Sequence, residues 1–226
     1  MDSIRSILIY LRAFIAFFTI APILIIVILV CPPVRYKVLV LFCRFMIFVF
    51  GCKLVVNGEF PKNQFFVIMA NHVSFLDVFA VPCVLEGNFS AVAASKNFQI
   101  PIYSSILKIM KVVSINRSNK ENAIEGITQA QEVLKSGYHI VILPEGTRTT
   151  TGNLLPLKKG GFHLARNTQA NILPIITKGL FSIKPKNRWT IQPGIIEINI
   201  LKPINVKDKE VDLLLDETYK SFINNF

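Results

Sequence analysis

Asn71-His72-Val73-Ser74-Phe75-Leu76-Asp77 sets an imidazole and a carboxylate five positions apart. A neutral imidazole held by a carboxylate is a general base that works near neutral pH. No Ser or Cys nucleophile motif accompanies the pair, so such a base could act directly on a substrate hydroxyl. Within one continuous α-helix, residues i and i+5 do not share a face. His72 and Asp77 therefore meet only if a helix starts between them. Ser74-Phe75-Leu76-Asp77 has capping-box spacing, with Ser74 as N-cap and Asp77 at N3. That leaves His72 in the preceding loop, where it can fold back on a first-turn carboxylate. A plainer reading gives the same residues a capping aspartate and an ordinary loop histidine. The rest of the chain must choose.

A second polar group, Pro144-Glu145-Gly146-Thr147-Arg148, leaves an apolar run and turns at a glycine. Gly146 permits positive φ or close backbone approach. Arg148 offers a planar fork suited to phosphate. Arg117 is a second such fork, and Lys111 a third cation. Singly, each reads as a surface charge. Each also sits near the end of a predicted strand, and together they read as an anion pocket.

The elements that would position these groups alternate. Predicted strands are 53–57, 65–70, 90–94, 112–115, 139–143, 172–178 and 195–201. Predicted helices are 74–85, 99–110, 120–136, 158–167 and 209–223. Ile124, Ile127, Ala130 and Leu134 give the third helix one packed face, and Gly137 stops it. Apolar strands separated by helices indicate an α/β fold with a mixed, largely parallel sheet flanked by helices. Sites in such folds gather beyond the strand carboxyl ends, and the three polar clusters fall there.

Ahead of this lies an apolar segment. The 226 residues are 52% hydrophobic and 17% charged, with mean hydropathy +0.49. Ala13 to Cys31 carries no charge and is long enough to cross a bilayer; Pro32-Pro33 ends it. Val38 to Gly51 is a second apolar stretch, interrupted by Arg44. Residues 1–52 are thus read as an N-terminal membrane-anchoring pair of helices, and 53–226 as the catalytic domain. A cleaved signal peptide fits less well, because the run is long and no A-x-A-like site follows.

The net charge is +11. Between Glu145 and Glu197 there is no acid, yet there are Arg148, Lys158, Lys159, Arg166, Lys178, Lys184, Lys186 and Arg188. One basic face toward phospholipid head groups, a phosphorylated substrate or an acidic carrier would account for this. No nucleic-acid-binding motif is present. Cys31, Cys43, Cys52 and Cys83 lie in apolar surroundings without C-x-x-C spacing, and no His/Cys cluster has metal-ligand spacing. His139 and His163 read as structural.

Four blocks resemble, in order, those of the 1-acyl-sn-glycerol-3-phosphate (lysophosphatidic acid) acyltransferases. His72 to Asp77 matches H-x4-D, preceded by the usual Asn. Lys111-Val112-Val113-Ser114-Ile115-Asn116-Arg117 is similar to K-x-x-F-I-x-R, with Ser114 for Phe. Leu143-Pro144-Glu145-Gly146-Thr147-Arg148-Thr149 is similar to F-P-E-G-T-R-S, with Leu143 for Phe and Thr149 for Ser. Ile172-Leu173-Pro174-Ile175-Ile176 resembles the apolar block with a central proline. The resemblance covers roughly residues 50–205 and implies a glycerolipid acyltransferase-like fold. It implies His72 and Asp77 as catalytic residues, and Lys111, Arg117, Glu145, Gly146, Thr147 and Arg148 as the acceptor and phosphate site. The implied reaction moves an acyl chain from acyl-CoA or acyl carrier protein to the sn-2 hydroxyl of lysophosphatidate. It uses no cofactor or metal beyond that thioester co-substrate. The expected setting is the bilayer, in a bacterial inner membrane with the site toward the cytoplasm. Another lysolipid acceptor, a hydrolase, and a noncatalytic adaptor for anionic lipid are the competing readings. Ser114 keeps the first open, the aligned anion-binding blocks have no role in the second, and the His72/Asp77 pair argues against the third.

Overall fold

Strands β1 (Lys53–Asn57), β2 (Val67–Ala70), β3 (Phe89–Ala94), β4 (Val113–Ile115), β5 (His139–Ile142), β6 (Ile172–Lys178) and β7 (Ile195–Ile200) form one sheet. Their order is β1-β7-β6-β2-β5-β3-β4. The structure, a computed structural model, describes residues 2–116 and 120–226. Five strands from β6 to β4 run parallel; β7 is antiparallel to β6, and β1 is parallel to β7. The sheet is therefore mixed and largely parallel. One edge collects the carboxyl ends of β2 to β6 and the amino ends of β1 and β7.

Alternation along β2 divides the core. Phe66, Ile68 and Ala70 point to one face, with Leu173, Ile175, Ile196 and Ile198, and meet α1 (Asp2–Val30), α2 (Arg35–Val49), α3 (Asp77–Ala80) and α4 (Tyr103–Ile109). Val67 and Met69 point to the other, with Ile140, Ile142, Ile172 and Ile176, under α5 (Lys120–Lys135), α6 (Gly160–Thr168) and α8 (Val211–Ile223). All four residues of β2 are buried, as a central strand covered on both faces requires. A further short helix, α7 (Leu180–Ile183), follows β6.

Two predicted helices are shorter than expected, and a proline ends the first and delays the start of the second. The 74–85 segment is α-helical only over α3, then tightens into a 3₁₀ turn at Val81–Val84. Pro82 has no N–H for the α-helical ladder. In the 99–110 segment, Ile100 before Pro101 is extended, and α4 begins only at Tyr103.

The N-terminal helices are joined to the sheet. α1 starts at Asp2, well before the uncharged run, and its 29 residues extend about 43 Å at 1.5 Å per residue. Ser6, Ile9, Ala13, Ala21, Leu24 and Ile28 form one buried stripe along its length. Ser6 Oγ accepts from Ile191 N at 3.1 Å, and Tyr10 Oη donates to the Trp189 carbonyl at 2.7 Å. α2 reaches from one edge of the sheet to the other. Tyr36 packs tilted against Phe89 and edge-on against Tyr138 at strand amino ends, while Phe50, just past its other end, meets Phe75 and Phe79. Each large apolar side chain buried this way contributes roughly 1.5–3 kcal/mol.

Candidate active site

His72 and Asp77 meet. His72 Nδ1 lies 2.7 Å from Asp77 Oδ2. The same oxygen accepts from Val73 N and Ser74 N, each at 3.0 Å. Three donors on one oxygen make it the acceptor, so the ring presents Nδ1–H and keeps its lone pair on Nε2. Asp77 is buried, but the His72 side chain is 20% exposed, which leaves its outer edge reachable. The helix starts later than expected, with Leu76 as its N-cap and Asp77 as its first residue, so Ser74 is not the N-cap, although the Asp77 carboxylate still reaches back to Ser74 N. Ser74 Oγ instead accepts from Leu76 N at 3.3 Å and donates to the Lys184 carbonyl at 2.8 Å.

The main chain at His72 is held from both sides by the 143–149 loop. Glu145 Oε1 accepts from His72 N at 2.5 Å, and its Oε2 accepts from Leu155 N at 2.9 Å. Thr149 N donates to the His72 carbonyl at 3.0 Å. Glu145 is buried, which raises its pKa, and the two amide hydrogen bonds oppose that rise. With both oxygens on backbone amides, Glu145 positions the His72 main chain. Asn71 fixes the preceding residue. Its side chain accepts from Thr177 N and donates to the Thr177 carbonyl, pinning the end of β2 to β6.

Gly146 has φ +74° and closes a turn on the Leu143 carbonyl. A Cβ there would stand 3.0–3.2 Å from the end of the Lys158 side chain, so the glycine makes room for that lysine. Thr147 is exposed and Arg148 half-buried at the same strand edge. Lys111 does not join them. It precedes β4, and its ammonium lies 4.6 Å above the ring of Tyr138, which precedes β5. Both residues stand at strand amino ends, the edge opposite His72. Arg117 lies outside the described residues.

Three contributors escaped the sequence reading. Thr149 looked like a mild substitution for Ser, yet it is fully buried and braces His72. Thr177 is an unremarked strand residue whose backbone completes the Asn71 lock. Lys184 was one of eight basic residues in an acid-free stretch, and no spacing sets it apart there.

A family model described as Acyltransferase matches residues 53–178. The chain is 30% identical over 168 residues to a 1-acyl-sn-glycerol-3-phosphate acyltransferase of Cocos nucifera, covering 74% of this chain and 54% of that one. It is 29% identical over 198 residues to the 1-acyl-sn-glycerol-3-phosphate acyltransferase alpha of Homo sapiens, covering 84% and 69%. The chain thus spans about half to three-fifths of the plant relatives' length, 54% and 61% in two cases. The solved structure of the 1-acyl-sn-glycerophosphate (LPA) acyltransferase PlsC from Thermotoga maritima has the same fold. The TM-score is 0.89 over 100% of this chain and 96% of that one, at 22% identity.

Proposed function

We propose, since this chain belongs to the acyltransferase family, that it transfers an acyl chain from a thioester donor to the sn-2 hydroxyl of lysophosphatidate, forming phosphatidate. One observation carries the chemistry: His72 Nδ1 is tied to a buried Asp77 oxygen already fixed by two amides, and the His72 side chain is 20% exposed. Nε2 takes the proton from the acceptor hydroxyl as that oxygen attacks the thioester carbonyl carbon. The C–S bond of the tetrahedral adduct breaks, and the imidazolium returns its proton to the leaving thiolate. Asp77 holds the tautomer and stabilises the imidazolium, as the carboxylate of a Ser-His-Asp triad does. No covalent acyl-enzyme is needed. Holding both substrates together lowers the entropic part of the barrier. As proposed, the step runs on side chains and the thioester alone, and the donor is acyl-CoA or acyl carrier protein.

The lysolipid reaches the site from a membrane on which α1 and α2 rest. Ile7, Leu11, Phe14 and Ile15 are more than half exposed on the outer side of α1. That surface is suited to acyl chains, and Trp189 beside Arg188 is suited to the head-group layer. A bacterial inner membrane with the site toward the cytoplasm remains our assignment of compartment.

The test is thiol release from a long-chain acyl-CoA, and from an acyl carrier protein thioester, by detergent-purified protein with and without lysophosphatidate. Release should require the acceptor. His72→Ala should lower it at least about a thousandfold, and Asp77→Asn by about 10⁴-fold through the wrong tautomer. Acceptor-independent release that still needs His72 would instead mark a hydrolase.

A further inference from the structure

The chain from Gly179 to Arg188 brings cations beside the His72–Asp77 loop that no motif marks. Gly179 has φ +82°, and a Cβ there would stand 2.1 Å from the Ile195 carbonyl oxygen, so only glycine makes this turn. α7 follows, and Lys184 leaves its end. The Ser74 hydroxyl holds the Lys184 carbonyl against the His72–Asp77 loop. On the other flank, Lys186 Nζ donates to Thr147 Oγ1 at 3.3 Å, and Asn187 Nδ2 to the Thr150 carbonyl at 3.4 Å. The segment is thus clamped between the two loops that build the site.

Lys184 is only 9% exposed. Its ammonium lies 5.9 Å from the centre of the Phe75 ring and donates to the Pro185 carbonyl at 2.9 Å. An ammonium has three N–H groups. None of the ion pairs among the described residues includes it. Its electrostatic neighbours are Arg148 and Arg188, and burial together with these two cations pushes its pKa down. Arg188 is committed to the carbonyls of Ser182, Ile183 and Thr190. Lys184, buried, and Arg148, half-buried, are left as neighbouring cations, and neither joins an ion pair among the described residues. Burying such charges costs free energy that a bound anion returns.

We propose that Lys184, with Arg148, holds the phosphate of the lysolipid acceptor and so selects phosphorylated acceptors over neutral ones. The proposal rests on the lysolipid reading above and assigns that site a recognition residue outside the matched blocks. The phosphate is a few bonds from the hydroxyl that His72 must deprotonate, and Lys184 is tied to Ser74, two residues from His72. The phosphates of a CoA donor share this chemistry, so the experiment separates the two sources.

Lys184→Met and Lys184→Arg would be assayed with lysophosphatidate and acyl-CoA varied independently. Loss of one charge-assisted bond should raise KM for lysophosphatidate about tenfold to a hundredfold in Lys184→Met, with kcat nearly unchanged. KM for acyl-CoA should stay put, and Lys184→Arg should recover most of the loss. A rise confined to the acyl-CoA KM would overturn the proposal in favour of donor binding. A lower kcat and melting temperature with both KM values intact would overturn it in favour of packing. Calorimetry with short-chain lysophosphatidate below its micellar concentration, beside monoacylglycerol, reads the same residue without turnover. Weaker binding of the phosphorylated lipid alone in Lys184→Met sustains the proposal even if no acyl transfer is found; equal binding refutes it.

Discussion

Glu145 shows what a motif residue does once the chain is folded. Its carboxylate spends one oxygen on His72 N and the other on Leu155 N. It therefore fixes where the His72 main chain stands. Glu145→Gln would keep one acceptor and turn an NH₂ group toward a buried N–H. The expected cost is about 1–3 kcal/mol of stability. Activity should fall through kcat rather than through KM for either substrate, since the base is misplaced and the binding groups are not. Denaturation midpoints and steady-state kinetics on the same preparation check both parts.

His139 opens β5 and pins it to the chain entering β2, because its Nδ1 accepts from Phe66 N at 3.1 Å. Phe60, Phe65 and Phe66 surround the ring. Burial lowers its pKa to about 4, against an ordinary 6.5. Between those values the unfolded chain binds a proton that the folded chain refuses. This contribution to stability is complete above pH 6.5 and falls as pH drops toward 4, by up to roughly 3 kcal/mol. His139→Gln keeps an acceptor and removes the titration. Its melting temperature should lose less than that of the wild type between pH 7 and pH 4.5. A parallel decline in both proteins would show that other groups set the acid sensitivity. The same element-to-element logic applies to α2, whose buried side covers the sheet face from Phe89 to Phe75.

The whole molecule has an apolar side formed by α1 and α2. α1 turns Ile7, Leu11, Phe14 and Phe18 outward while Ser6, Ile9 and Ala13 near one end and Ala21, Leu24 and Ile28 near the other are buried. A helix bound that way lies along the body of the protein and would bed it on a bilayer surface. Phe14→Asp, at a position 59% exposed, removes apolar contact without disturbing the core. It should reduce co-sedimentation with phospholipid vesicles several-fold and leave thiol release unchanged with short-chain lysophosphatidate in detergent. Unaltered vesicle binding would move the membrane contact away from this face.

Much of this was legible in the chain. Seven apolar runs gave seven strands, because alternation and β-branched content are local properties. The i to i+5 spacing of His72 and Asp77, with Ser74 between, was enough to require a helix starting inside the motif. Local pattern also placed Gly137 and the apolar N-terminus. What it could not carry was any contact across the sheet. Lys111 sits five residues before Asn116 and was assigned to the same pocket. A strand reverses which edge its two ends reach, so Lys111 stands with Tyr138 at the far side. Thr149 and Thr177 act through backbone groups that any residue possesses, which leaves no mark in side-chain chemistry. Lys184 became distinct from seven other basic residues only when the turn at Gly179 laid it against Ser74 and Phe75. The sequence by itself determined which chemistry was available and in which loops. Tertiary structure alone decided which of those groups share an edge, because strand order is set by packing between segments distant in the chain.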